Sequence, residues 1–206
     1  MKLCVFDFDS TLMDGETIDT LARAHGVGGE VSRITEAAMR GELDFFESLS
    51  SRVHLLAGLP YARALDICHN LPLMPGAAET VTELKKRGYR VVIFSGGFRE
   101  ATAYHAQILG ANADFANFLH HKNGVLTGRV GGEMMTGAAK GELLSRLQSL
   151  LGISRADTAA IGDGANDLSM FGEADIKIAF CAKPVLKGAA DFTVDEKDVR
   201  GVLEHL

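Results

Sequence analysis

Two short segments concentrate carboxylates beside glycine and hydroxyl residues: Asp7-Phe8-Asp9-Ser10-Thr11 and Gly162-Asp163-Gly164-Ala165-Asn166-Asp167. Each ends a brief apolar run, at 2–8 and 158–161, of the kind that forms a buried β-strand. A third run, 90–94, ends at Ser95-Gly96-Gly97 in the same way. Parallel α/β sheets bind ligands where the carboxyl ends of their strands converge. If these three ends meet, at least three of Asp7, Asp9, Asp163 and Asp167 share one cleft. Carboxylates at that range repel, so the cluster needs a cation or raised pKa values. Only oxygen donors are on offer, which selects a hard ion, and few ligands with room for water select Mg2+ over Ca2+.

The elements that must hold these residues are legible from periodicity. Further strands are expected at 176–180 and 192–194, and helices at 77–87, 98–109 and 142–151. Strands alternating with helices imply βαβ units, hence an α/β fold with a doubly wound, mainly parallel sheet covered on both faces. Residues 15–73 break the alternation. They hold amphipathic helical stretches at 17–24, 30–40, 45–56 and 62–70, punctuated by glycines at 26, 28, 29, 41 and 58. The expected organisation is an α/β catalytic core of residues 1–14 and 74–206, with residues 15–73 inserted as a helical-bundle cap able to cover Asp7 and Asp9. Asn123-Gly124, between apolar stretches at 118–122 and 125–130, predicts a β-hairpin with a type I′ turn.

The net charge of −6 argues against a nucleic-acid surface, although a bound metal can override that sign for an anionic ligand. Cys4, Cys68 and Cys181 form no metal or redox spacing; Cys4 and Cys181 adjoin apolar runs and read as buried thiols, which fits a reducing compartment. The first apolar run meets Asp7 and Asp9 too early for a signal peptide, and no stretch is long enough to span a bilayer. A cytoplasmic protein is expected. His120-His121, inside the hairpin and without a third ligand nearby in sequence, reads as surface.

With Lys140 standing between the second and last segments, the ordered set resembles the four motifs of the haloacid dehalogenase superfamily of phosphotransferases, which have a Rossmann-like fold. Singly, each motif has an ordinary reading as a turn, a helix cap or a solvated lysine. Those readings do not explain their joint occurrence at successive strand ends. The resemblance implies a catalytic pair. Asp7 attacks phosphorus to give an acyl phosphate, splitting one hard step into two. Asp9 is general acid and then base, and its carbonyl joins Asp7 and Asp163 in holding Mg2+. Ser95, Gly96 and Lys140 bind the phosphoryl group, and Asn166 is favoured over Asp167 as a further substrate contact. Side chains two residues apart on a regular strand stand about 7 Å apart, so Asp9 reaches the cleft only if the backbone leaves the strand.

Within that superfamily, Glu16-Thr17-Ile18-Asp19, Met39-Arg40-Gly41, Phe45, Arg52 and residues 178–184 are similar to the phosphoserine phosphatase family. Such a substrate pairs an ammonium with a carboxylate. Glu16 suits the first and Arg52 the second, since a guanidinium grips a carboxylate through two parallel hydrogen bonds. Phe45 and Arg52, seven apart, share a helical face, and Met39 with Phe45 can shut out water. The resemblance implies hydrolysis of phosphoserine, the last step of serine biosynthesis, by a monomer or homodimer. Left open are L- against D-phosphoserine, another small phosphorylated metabolite as substrate, and transfer to an acceptor such as homoserine.

Overall fold

The computed structural model describes residues 1–206. The chain opens with β1 (Lys2–Asp7), then leaves the sheet for four helices: α1 (Thr17–His25), α2 (Gly28–Met39), α3 (Phe45–His54) and α4 (Tyr61–His69). It returns through α5 (Ala77–Lys86), β2 (Tyr89–Phe98), α6 (Arg99–Leu109), β3 (Ala113–Lys122) and β4 (Val125–Gly132). The last part runs α7 (Ala139–Leu151), β5 (Thr158–Gly162), α8 (Leu168–Phe171), β6 (Ile176–Phe180), α9 (Pro184–Lys187) and β7 (Phe192–Val194). One seven-stranded sheet results, in the order β4-β3-β2-β1-β5-β6-β7. Only the β3–β4 pair is antiparallel. This is the doubly wound, Rossmann-like sheet expected from the alternation.

Burial on both faces follows from the two-residue period of a strand. In β1, Cys4 and Phe6 pack on one side with Val91, Ile93 and Ile161. Leu3 and Val5 pack on the other with Val92, Phe94 and Ala160, under Leu144 of α7. Apolar residues at every position are therefore required, and that is why these strands lack polar alternation.

Several features depart from the sequence expectation. β2 does not stop at Phe94 but continues through Ser95-Gly96-Gly97 to Phe98, its register with β3 slipping between Phe94 and Phe98. β3 begins at Ala113, because its first half pairs with β2 (Val92 with Ala113, Phe94 with Phe115) before the hairpin starts. α7 starts at Ala139, which puts Lys140 in its first turn. Cys4 and Cys68 are buried, but Cys181 is half-buried, lying just past β6 with φ at 44°.

The four-helix insertion is tied down twice. At its root the two linkers run together, with Asp14 N–H donating to the Pro72 carbonyl (3.0 Å) and Met74 N–H to that of Leu12 (2.8 Å). Farther out, the α3–α4 turn docks on the hairpin: Gly58 N–H to Leu126 O, Leu126 N–H to Leu59 O and Tyr61 N–H to Gly124 O, each 2.9 Å. The Tyr61 ring stacks on His121 at 3.8 Å. By contrast α2 buries Val31 alone. No helix is long and apolar enough to cross a membrane.

This docking requires Gly128. Its φ is +75°, and a Cβ there would lie 2.8 Å from the His54 carbonyl oxygen and 3.0 Å from the Ala57 methyl. Gly128→Ala is expected to cost about 1–2 kcal/mol and lower the Tm by roughly 4 °C. An unchanged melt would mean that this contact does not hold the insertion down.

Candidate active site

Adjacent parallel strands bring their ends together, and register decides which residues meet. Asp7 lies level with Phe94, the residue before Ser95, and Phe6 lies level with Ile161, two residues before Asp163. Carboxylate oxygens of Asp7, Asp163 and Asp167 consequently all fall within 4.8 Å of one another. Buried Lys140 joins them from α7, its ammonium 2.6 Å from Asp7 Oδ1 and 2.6 Å from Asp167 Oδ1. Asp167 has no oxygen to spare, since its Oδ2 accepts from the Asp163 and Gly164 amides at 3.0 Å each. Its place is structural, shaping the loop and aiming Lys140.

Asp7 is different. Its Oδ1 is fixed by Lys140 and by the Phe8 amide at 2.8 Å, while Oδ2 accepts from no N–H or O–H group. No N–H group or ammonium donates to Asp163, whose carboxyl lies beside that of Asp7. Three carboxylates against one ammonium leave excess negative charge in a buried place. Burial first, then repulsion by Asp167, raises Asp7 well above the usual carboxylate range and pushes Asp163 up to about 6. Lys140 resists the pull of burial, because Asp167 and Asp7 hold its pKa above the ordinary lysine value. Oxygen-only donors with free lone pairs on Asp7 and Asp163 fit a hard divalent cation.

Asp9 does not belong to that carboxylate group. Its Oδ1 accepts from the Thr17 amide at 2.7 Å and the Thr17 hydroxyl at 2.5 Å, and its Oδ2 from Ser95 Oγ at 3.2 Å. Helix α1 has no capping side chain of its own at Glu16. The carboxylate from eight residues upstream satisfies its first free N–H instead. The turn that makes this possible includes Ser10, with φ at 59°. Burial raises the Asp9 pKa, and the Thr17 and Ser95 donors restrain the rise.

A cavity of about 620 Å³ opens above these groups. It is lined by Asp7, Asp9, Glu16, Met39, Phe45, Arg52, Gly96, Asp163 and Asn166, which brings most of the sequence-predicted residues to one place. Ser95 and Lys140 are buried in the wall and do not line it. Phe45 sits against Gly96, its ring atom 2.9 Å from where a Cβ would be. Met39 lines the cavity but stands 72% exposed, so it does not seal the pocket. Glu16 receives a hydrogen bond from Ser10 Oγ at 3.0 Å. Desolvation of its carboxyl, then Asp9 and Asp163, push its pKa up to about 8. Arg52 donates from Nε to the Ser48 carbonyl at 3.2 Å and has no carboxylate partner.

Sequence reasoning gave no role to Asp19 and Lys183, which line the cavity, nor to Thr17, which lies behind it and bonds Asp9. Thr17 was visible only as the residue after Glu16 at a helix start; its hold on Asp9 depends on a tight turn that periodicity does not report. Removing its hydroxyl leaves Asp9 held only by the Thr17 amide and Ser95 and takes away a donor that lowers the Asp9 pKa. Thr17→Val is therefore expected to reduce kcat about 10-fold and to move the alkaline limb of the pH profile upward. An unaltered profile would contradict that link.

The chain as a whole is similar to known proteins. Residues 1–175 match the model of the haloacid dehalogenase-like hydrolase family. A phosphoserine phosphatase of Wolinella succinogenes is 59% identical over 206 residues, all of both chains. One from Methanocaldococcus jannaschii is 48% identical, covering 100% of this chain and 97% of the other. A solved structure described as a phospho-aspartyl intermediate analogue of phosphoserine phosphatase superposes with a TM-score of 0.95 at 48% identity, covering 100% of this chain and 98% of that one. A substrate-bound phosphoserine phosphatase complex matches equally well, with a TM-score of 0.95. The chain belongs to the haloacid dehalogenase-like hydrolases and, within them, to the phosphoserine phosphatase family.

Proposed function

We propose that the protein hydrolyses O-phosphoserine to serine and inorganic phosphate through an aspartyl-phosphate on Asp7, with Mg2+ as cofactor. The observation that carries this reading is the state of Asp7: one oxygen pinned by Lys140 and the Phe8 amide, the other without a donor, facing a cavity that Glu16 and Arg52 also line. The similar solved structures named for a phospho-aspartyl analogue and a substrate complex support it.

In this mechanism the free Asp7 oxygen attacks phosphorus in line with the serine oxygen. The P–O bond to serine breaks as Asp9 passes its proton to the leaving alkoxide. A water then attacks the phosphorus of the acyl phosphate, Asp9 takes that water's proton, and the Asp7 carboxylate is regenerated with release of phosphate. Mg2+, held by Asp7, Asp163 and the Asp9 carbonyl, would supply positive charge beside the phosphoryl oxygens. Lys140 supplies it from the opposite wall, and Ser95, Gly96 and Asn166 bond the same group, since catalysis of phosphoryl transfer rests on positioning and charge. Glu16 takes the substrate ammonium and Arg52 its carboxylate. Glu16 shares its neighbourhood with Asp9 and Asp163, a repulsion that an incoming ammonium relieves.

Residues 15–73 serve as the cap over the core. With the root and the α3–α4 turn anchored, the α2–α3 end carrying Met39 and Phe45 is the part free to move and admit substrate. The reduced cysteines fit a cytoplasmic setting.

Asp7→Asn is expected to lower kcat by at least ~10⁴-fold, and chelation of Mg2+ to abolish turnover reversibly; phosphate release at wild-type rates from either would end the mechanism. Arg52→Ala is expected to cut kcat/KM for phosphoserine by about 30-fold while changing that for p-nitrophenyl phosphate, which has no carboxylate, less than about 3-fold. Equal losses on both substrates would exclude the carboxylate role.

A further inference from the structure

We propose that Lys183 is an electrostatic entry residue, drawing the anionic substrate into the cavity and holding its phosphate at the mouth; the role rests on the phosphoserine reading above. Lys183 comes from the loop after β6, and the backbone of that loop is built to deliver it. Cys181, with φ at 44°, turns the chain sharply while its amide donates to the Val194 carbonyl at 2.7 Å. Two residues on, the Lys183 amide donates to the Asp163 carbonyl at 2.8 Å, and Pro184 then starts α9. Strained backbone away from glycine is retained where the surroundings over-determine it, which is common at functional sites. Here it lays the loop across the Asp163 segment.

The side chain lines the same cavity as Asp7, Asp9 and Asp163, its ammonium 3.9 Å from the point where a Cβ on Gly164 would lie. Its lack of a partner distinguishes it from neighbouring lysines. Lys177 pairs with Asp191 at 3.2 Å, Lys187 with Asp195 at 2.5 Å and Lys197 with Asp14 at 2.6 Å. Lys183, in a cavity lined by six carboxylates, has none of them at ion-pair distance. Its charge is felt nonetheless, offsetting part of the rise that burial imposes on the pKa of both Glu16 and Asp163.

Charge balance gives this ammonium its task. Asp7, Asp9, Glu16, Asp19, Asp44 and Asp163 line the cavity, against Arg52 and Lys183 as its cations. Phosphoserine arrives with a phosphate of about −1.5 to −2, a carboxylate and an ammonium, so it is a net anion entering an acidic cleft. Mg2+ held by Asp7 and Asp163 would offset part of that charge. At the mouth, on the Asp163 side, Lys183 is the cation available to meet the phosphate, as charge focused in a cleft raises the encounter rate.

The test is steady-state hydrolysis of phosphoserine at saturating Mg2+ by wild type, Lys183→Ala, Lys183→Arg and Lys183→Glu, over roughly 0.02–0.5 M NaCl. Because Lys183 is exposed, its effect must weaken as salt screens it. The expected result at low salt is a kcat/KM about 5–10-fold lower for Lys183→Ala, carried by KM, and lower again for Lys183→Glu. Lys183→Arg should restore it to within about 2-fold, and the gap between wild type and Lys183→Ala should close at high salt. A Lys183→Ala enzyme equal to wild type at low salt overturns the proposal. So does a loss that is independent of salt and unrelieved by arginine, which would mark a merely structural loop residue. Wild type with no phosphoserine turnover would instead sink the functional reading itself, so the two failures are distinguishable.

Discussion

Lys140 sets one buried ammonium 2.6 Å from Asp7 and 2.6 Å from Asp167, and the chemistry of the cleft depends on that bridge. Burying charges is costly unless they are paired and bonded, and here every atom but the useful ones is satisfied. Asp167 is spent wholly on Lys140 and two loop amides, and Asp7 gives up one oxygen to Lys140 and the Phe8 amide. What remains is a single unbonded oxygen on Asp7 beside the free carboxylate of Asp163, in a pocket too negative to be stable without a further cation. A carboxylate held at one atom and open at the other is the outcome, as the proposed attack on phosphorus needs.

The second carboxylate acts under separate control. Asp9 stands apart from the group around Lys140 and instead caps α1, the first helix of the insertion, through both donors of Thr17. One contact thus satisfies the start of a helix and orients the carboxylate proposed as the acid. It also means that any motion of α1 reaches Asp9 directly. The hairpin bonds fix the α3–α4 turn of the insertion, whereas α2 buries Val31 alone.

Much of this was legible in the sequence because strand ends in an α/β sheet are chemically marked. DFDST and GDGAND could be assigned to strand tips from apolar runs alone, and the inserted bundle from its broken alternation; that the tips adjoin comes from the sheet register. The cap residues Glu16, Phe45 and Arg52 required a family resemblance, as an isolated charge on a helix looks the same whether it faces solvent or a pocket. Other features were not legible. The first half of β3, at 113–117, has no strand pattern; its pairing to β2 is a tertiary fact. Continuation of β2 through two glycines contradicts local propensity and is imposed by the sheet beside it. Thr17 and Lys183 owe their positions to left-handed turns at Ser10 and Cys181, residues that give no local hint of that conformation.

The central claim is that phosphate passes covalently through Asp7. Enzyme mixed with phosphoserine and Mg2+, quenched in acid during turnover and reduced with borohydride, should yield homoserine at position 7 on peptide mass spectrometry, because an acyl phosphate is reduced where a free carboxylate is not. The account predicts that conversion at Asp7 and its absence without substrate. Reduction at another carboxylate, or none while phosphate is being released, would contradict it.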